Sequence, residues 1–279
     1  MNDLIVLTGV HPDESILTKK LLKQFQYELI NHFGDSIAIH YLDLDDYLSE
    51  TTVTNCRYRI YGNFIHDLNR VYRKSVLNEQ HIKKAFDSII YTSTQTPFVS
   101  LIEMWFNELI NNGIDITELL QGSQTYYNGF LGYTNTLLKE YYSERITGYV
   151  RSIRKYLKDQ KKVLVLDLHS GIGKSGETTL QYQNFITKPK DSSGYFVEEI
   201  AKSLLKFGIS EVNVMIIESG VTSTEEYMEN VIHEMKKMII TGTTNPSTYI
   251  TDCVIESYRK NLKINQNIID EMKDFFDVS

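Results

Sequence analysis

Cysteine is nearly absent: Cys56 and Cys253 are the whole complement. Two residues leave no material for a disulfide framework or a cysteine-rich zinc site. Proline is almost as rare, with four in 279 residues. No proline-rich linker marks a domain boundary, and no internal repeat or low-complexity tract divides the chain. An excess of positive charge is also missing. Lys and Arg number 29 against 36 Asp and Glu, a formal charge of −7. This argues against general nucleic-acid binding, which usually shows a basic excess or stripe. No stretch approaches 18 apolar residues, so no membrane span is expected. The opening MNDLIVLTGVHPDE carries an acid where a signal peptide has its basic region, and its apolar run is short. These absences together lead us to expect a reduced, cytoplasmic setting and one domain over residues 1–279.

What the chain does contain is an alternation of apolar runs and helical patterns. LIVLTGV (4–10), SIAIHYLDL (36–44), VLVLDLH (163–169) and EVNVMIIES (211–219) read as strands. Between the first two, Asp13 or Ser15 caps a helix carrying Leu22 and Leu29 at helical spacing, and Gly34 stops it. Helices are expected at 76–91, 98–112, 136–159, 195–208, 223–240 and 252–276, with 47–70 mixed and turn-like. The strands lack polar alternation, which implies burial on both faces. The fold class expected is α/β: a mixed, largely parallel central sheet with helices on both faces. A helical insertion is expected at about 75–158. The 19 tyrosines are scattered and read as core and rim.

The stretch LDLHSGIGKSGETTL invites a nucleotide-binding reading through Gly173, Lys174 and Ser175. A phosphate loop needs GxxxxGK[ST], so that backbone N–H groups wrap the phosphates. The first glycine would fall on Leu168, and His169 would stand inside the cradle. The spacing therefore fails, although a nucleotide-dependent enzyme stays as a remote alternative. Lys174 reads as solvated.

A different chemistry is written at strand ends. GVHPDE puts His11 and Glu14 just past the first strand, in HxxE spacing. Histidine and carboxylate are both zinc ligands, and a His₂Glu set with one open position is a hydrolytic arrangement. His169 ends the third strand and Glu218 the fourth. In open α/β sheets, ligands gather beyond the carboxyl ends of the strands. Each residue alone has a plainer reading: a turn histidine, a first-turn carboxylate at a helix start, a surface acid. Asp167 is harder to dismiss, because a charge in a buried strand needs a partner. It is suited to hold a ligand histidine, without the sequence saying which.

HPDE, HDLNR (66–70), DLHSG (167–171) and IIESG (216–220), in that order, resemble the zinc carboxypeptidase superfamily. The nearer likeness is to its aspartoacylase and succinylglutamate desuccinylase branch. The chain is also similar to uncharacterised relatives with a glycine-rich turn after the second histidine, which the GSQTYYNGFLGY stretch resembles in particular. The resemblance spans about residues 4–220. It implies a carboxypeptidase-like fold, with His11, Glu14 and His169 as ligands of one zinc ion per chain. It implies Glu218 as general base, and Asn69 and Arg70 as the grip on a substrate carboxylate. A further arginine polarises the scissile carbonyl in that family. Arg57 and Arg59 are the candidates, and Arg59 is preferred. A tyrosine near the carboxylate site would fit the pattern, and Tyr126, Tyr127, Tyr133 and Tyr249 are all available. The segment after Glu218 reads as too short for the C-terminal β-domain of aspartoacylase-like enzymes.

The function expected is a metal-dependent hydrolase that cleaves an amide in a small N-acyl amino acid or peptide with a free carboxylate. Its partner is that small molecule or peptide, not nucleic acid or membrane. A non-catalytic metal- or ligand-binding protein on the same fold is the alternative. The glycines at 171, 173 and 176 are then expected to let the backbone turn tightly beside the metal.

Overall fold

Among the described residues five strands form the central sheet, in the spatial order Ile37–Asp43, Asn2–Thr8, Lys162–Ile172, Glu211–Thr222 and Thr178–Ile186. The structure, a computed structural model, describes residues 2–11, 15–51, 59–61, 64–66, 68–72, 107–113, 115, 136–157, 162–172, 177–222 and 264–277. β1 (Asn2–Thr8) runs parallel to β2 (Ile37–Asp43) and to β5 (Lys162–Ile172). β7 (Glu211–Thr222) is parallel to β5, and β6 (Thr178–Ile186) closes the far edge antiparallel to β7. A small antiparallel pair, β3 (Arg59–Tyr61) and β4 (Phe64–His66), stands apart.

Four of the strands are those the apolar runs foretold, so the mixed, mostly parallel α/β sheet is as expected. Two elements were not foreseen. β6 reads TTLQYQNFI, and its polar residues and edge position hide it. The β3–β4 pair has three residues a side, too few for a period to show.

Strand parity sorts the core into two layers. Leu4, Val6, Leu164, Leu166, Leu168, Met215 and Ile217 point to one face. There they meet α1 (Ser15–Phe33) through Leu29 and Phe33, and α5 (Gln266–Phe276) through Ile268, Met272, Phe275 and Phe276. Ile5, Leu7, Val163, Val165, Val212, Val214 and Ile216 point to the other. They meet α3 (Thr136–Arg154) and α4 (Phe196–Lys206). On α3 the buried residues Leu138, Tyr142, Ile146, Tyr149 and Val150 recur at three and four positions, a single helix face. α3 falls within the segment expected as an insertion, and it lies against the sheet. A four-residue α2 (Leu44–Tyr47) follows β2, its start capped by Asp43, whose side chain accepts from the N–H of Asp45 at 3.0 Å.

The helix ends obey local rules. α1 stops at Gly34, in the left-handed region at φ +50°. Gly208, at φ +99°, follows α4 in the same way. The described tyrosines divide between core and surface: Tyr27, Tyr41 and Tyr156 are exposed, while burial holds the phenols of Tyr72, Tyr142 and Tyr149 well above their ordinary range, so these three stay neutral. Among the described residues no helix is long and apolar enough to cross a membrane. Most of the residues in the helices expected at 76–91, 98–112, 223–240 and 252–276 lie outside the described set. Only the helical residues 107–111 and α5 represent them.

Candidate functional site

β1 and β5 lie side by side, yet the chain leaves them in opposite directions. From β1 it goes outward to β2 through α1 on one face. From β5 it goes out to the edge strand β6 and returns through α4, on the other face, to β7. Diverging connections open a crevice at the carboxyl ends of the two strands, where α/β sheets bind their ligands. His11 follows β1 by three residues, and His169 stands in the carboxyl-terminal part of β5. The crevice therefore lies between these two histidines.

Their rings meet there. The centroids are 4.9 Å apart and the planes cross at 65°. Both are buried, His11 at 3% exposure and His169 at 1%. Two imidazoles bound to one tetrahedral zinc, with Zn–N of about 2.0–2.1 Å, put their ring centres about 5 Å apart. The observed spacing fits that arrangement.

Parity places Asp167 and His169 on the same side of β5, the side facing α3 and α4. Asp167 is fully buried, and its Oδ2 is 2.9 Å from His169 Nε2. The approach is close but not well directed as a hydrogen bond, and Asp167 has no better-directed partner among the described residues. A nearby carboxylate favours a proton on Nε2, and that tautomer would leave Nδ1 with the lone pair that a metal requires. So the open question about Asp167 resolves onto His169. Asn69, on a short 3-10 turn at Leu68–Arg70, brings its Nδ2 to 3.3 Å from the same Nε2. With the proton on Nε2, the Asn69 amide bonds to the ring only by presenting its oxygen.

Glu218 joins from the next strand. His169 and Glu218 are register partners on parallel β5 and β7. Adjacent strands lie about 4.8 Å apart, and register partners project to one face. Glu218 is half-buried, on the side of the sheet that carries Asp167 and His169.

Arg59 lies beneath the turn that leads to His11. Its side chain is fully buried. Nη2 donates to the carbonyl of Gly9 and, at 2.9 Å, to Asp45 Oδ1. Asp43, which caps α2, also meets Lys19 of α1 at 2.7 Å through its Oδ2. The ends of β1 and β2 and the starts of α1 and α2 are thereby tied together. Asp45 was not foreseen. The only signal was the acidic run LDLDD at a strand end, which marks no partner.

Gly9 is a position where only glycine fits. Its φ is +75°, and an added Cβ would lie 3.0 Å from both the backbone N and Cγ of Asp45. Left-handed backbone costs a side-chain-bearing residue about 1–2 kcal/mol before any overlap. Gly9→Ala is therefore expected to lower unfolding free energy by about 2 kcal/mol or more. Urea titration checks it, and a variant as stable as the parent would show that the turn relaxes freely.

Several expected residues are not brought into view. Glu14, Arg57, Gly173, Lys174, Ser175 and Gly176 lie outside the described residues, as do Tyr126, Tyr127, Tyr133 and Tyr249. The backbone of Arg70 is described, its side chain is not. Among the described residues no group of three His, Cys, Asp or Glu side chains is assembled that could hold a metal ion. His11 and His169 make two of the expected set, and Glu14 is the third. Comparison with family models, with curated proteins and with solved structures finds no match to the chain.

Proposed function

We propose that this protein is a metal-dependent hydrolase of the zinc carboxypeptidase kind, cleaving an amide in a small carboxylate-bearing substrate. The observation that carries the reading is the His11–His169 pair: two buried imidazoles at ligand spacing in the crevice between β1 and β5. Asp167 behind one ring and Glu218 in register beside it supply the remaining chemistry.

In this reading His11, Glu14 and His169 hold one zinc ion. Zinc supplies a Lewis acid and brings the pKa of water down towards neutrality. Asp167 keeps the His169 proton on Nε2 and the ring turned to its task. Glu218 takes a proton from the attacking water and hands it to the leaving amine. Asn69 and Arg70 orient the substrate by its carboxylate, for which the planar fork of arginine is suited. An arginine of the 57–59 segment stabilises charge on the carbonyl oxygen. The substrate is an N-acyl amino acid or a short peptide. The sheet is then the core of a carboxypeptidase-like fold.

Metal content tests the proposal. Elemental analysis of the purified protein is expected to find about one zinc per chain, and His169→Ala is expected to lose it. No metal in either protein, even after zinc is added back, would break the reading. With zinc found, a screen of N-acyl amino acids and short peptides identifies the substrate.

A further inference from the structure

We propose that Arg59 is a positioning residue that sets the place of His11, acting through Gly9 and Asp45 rather than on a substrate carbonyl. The inference rests on the metal-site reading above and departs from the role the resemblance implies for Arg59.

Three observations carry it. First, Arg59 has no exposed surface. Second, both hydrogens of its Nη2 are engaged, one by the Gly9 carbonyl and one by Asp45 Oδ1 at 2.9 Å. These two bonds hold the guanidinium against the turn that leads to His11. Third, the residue it grips is the hinge of the His11 turn. Gly9 lies two positions before His11, and its left-handed φ of +75° brings it against Asp45 with no room for a Cβ. Gly9 itself turns the backbone without resistance. Something outside the turn must therefore fix the direction in which β1 delivers His11, and the guanidinium does so from below.

Arginine suits this task. A buried cation needs a paired acid, and Asp45 is that acid. The planar fork reaches a carbonyl and a carboxylate together. Lysine can donate to both from one ammonium, but without the fixed angle. Glutamine brings a single amide donor group and no charge.

Outer groups that orient metal-binding histidines are commonly worth 10–100-fold in metal affinity. The test compares the full-length protein with R59K, R59Q and D45N. Zinc affinity is read by competition with a chromophoric chelator. The histidine ring signals of the metal-free proteins are read by ¹H–¹⁵N NMR, with His11 assigned through His11→Asn. His40 serves as the internal control, since it lies on β2 against Asp3, with Nε2 2.8 Å from Oδ1.

R59Q is expected to bind zinc about 10–100-fold more weakly. Its His11 signals move while those of His40 hold, D45N moves them the same way, and R59K recovers part of both effects. R59Q with unchanged zinc affinity and unmoved His11 signals overturns the proposal. Unchanged affinity with a fall in kcat alone also overturns it, and returns Arg59 to the substrate carbonyl. Should R59Q lose the His40 signals as well, the fold has failed there, and R59K and D45N decide. If the parent protein takes up no zinc, the hydrolase reading falls, while the His11 signals still decide what Arg59 does.

Discussion

Glu218→Gln is expected to lower turnover by about 10²–10⁴-fold while zinc content stays at the parent level. The substitution keeps the shape of the side chain and removes its ability to accept a proton. Glu218 is the register partner of His169 on the neighbouring parallel strand, so it reaches the crevice without being one of the expected ligands. The change acts on proton transfer, which is made in the transition state. kcat should therefore fall with KM nearly unchanged. The measurement is steady-state hydrolysis of the best N-acyl amino acid from the screen, with metal analysis on the same samples. Near-normal turnover would remove Glu218 from the role of base. A loss of zinc together with turnover would instead make it a ligand, a different site with the same residues.

The strands that carry His169 and Glu218 were legible because they are apolar runs buried on both faces, although both continue three residues past the expected ends, to Ile172 and Thr222. His169 and Glu218 stand where that hydrophobicity stops. What stayed hidden depends on pairing between segments far apart in the chain. Asp45 and Arg59 stand 14 positions apart in the sequence, and no periodicity connects them. β6 escaped notice because an edge strand exposes one side and mixes its polarity. The side chain nearest Asp167 was within reach of the sequence: residues two apart in a strand share a face, and His169 is two away. The role of Arg59 was the least accessible, since an arginine between strands reads as solvent-exposed until burial is known.

Replacing Glu198 by Gln is expected to lower stability at neutral pH by about 1–3 kcal/mol, the usual cost of losing hydrogen bonds to a buried charge and leaving donors unsatisfied. Glu198 is fully buried, three residues past the N-cap of α4. Five donors converge on it. Tyr182 Oη at 2.6 Å and Asn184 Nδ2 at 2.9 Å reach one carboxylate oxygen. Ser192 Oγ at 2.9 Å and the backbone N–H groups of Gly194 at 2.7 Å and Tyr195 at 3.0 Å reach the other. A glutamine amide would turn an N–H₂ group towards donors on one side or the other. Burial alone pushes this carboxyl up, but the hydrogen bonds from Tyr182, Asn184 and the 192–195 turn outweigh it and hold the group below its usual value. Across the same bond, the Tyr182 phenol is pushed up to about 12, chiefly by burial. A carboxyl whose folded pKa is depressed adds stability that is fully present above the unfolded value, about 4.3 for Glu, and is lost as pH falls through the folded one. The gap between parent and variant should therefore be widest near pH 7 and narrow in acid. Urea unfolding of both proteins between about pH 3 and 8 measures it. A gap that stays constant over that range would mean that shape, not charge, is what Glu198 contributes. The network also reaches the crevice, because Tyr182 and Asn184 lie on β6, which pairs Thr179 with Glu218. Loosening β6 would release one edge of the strand that carries the proposed base. Glu198→Gln should thus lower turnover more steeply with temperature than the parent does, while Glu218→Gln lowers it at every temperature alike.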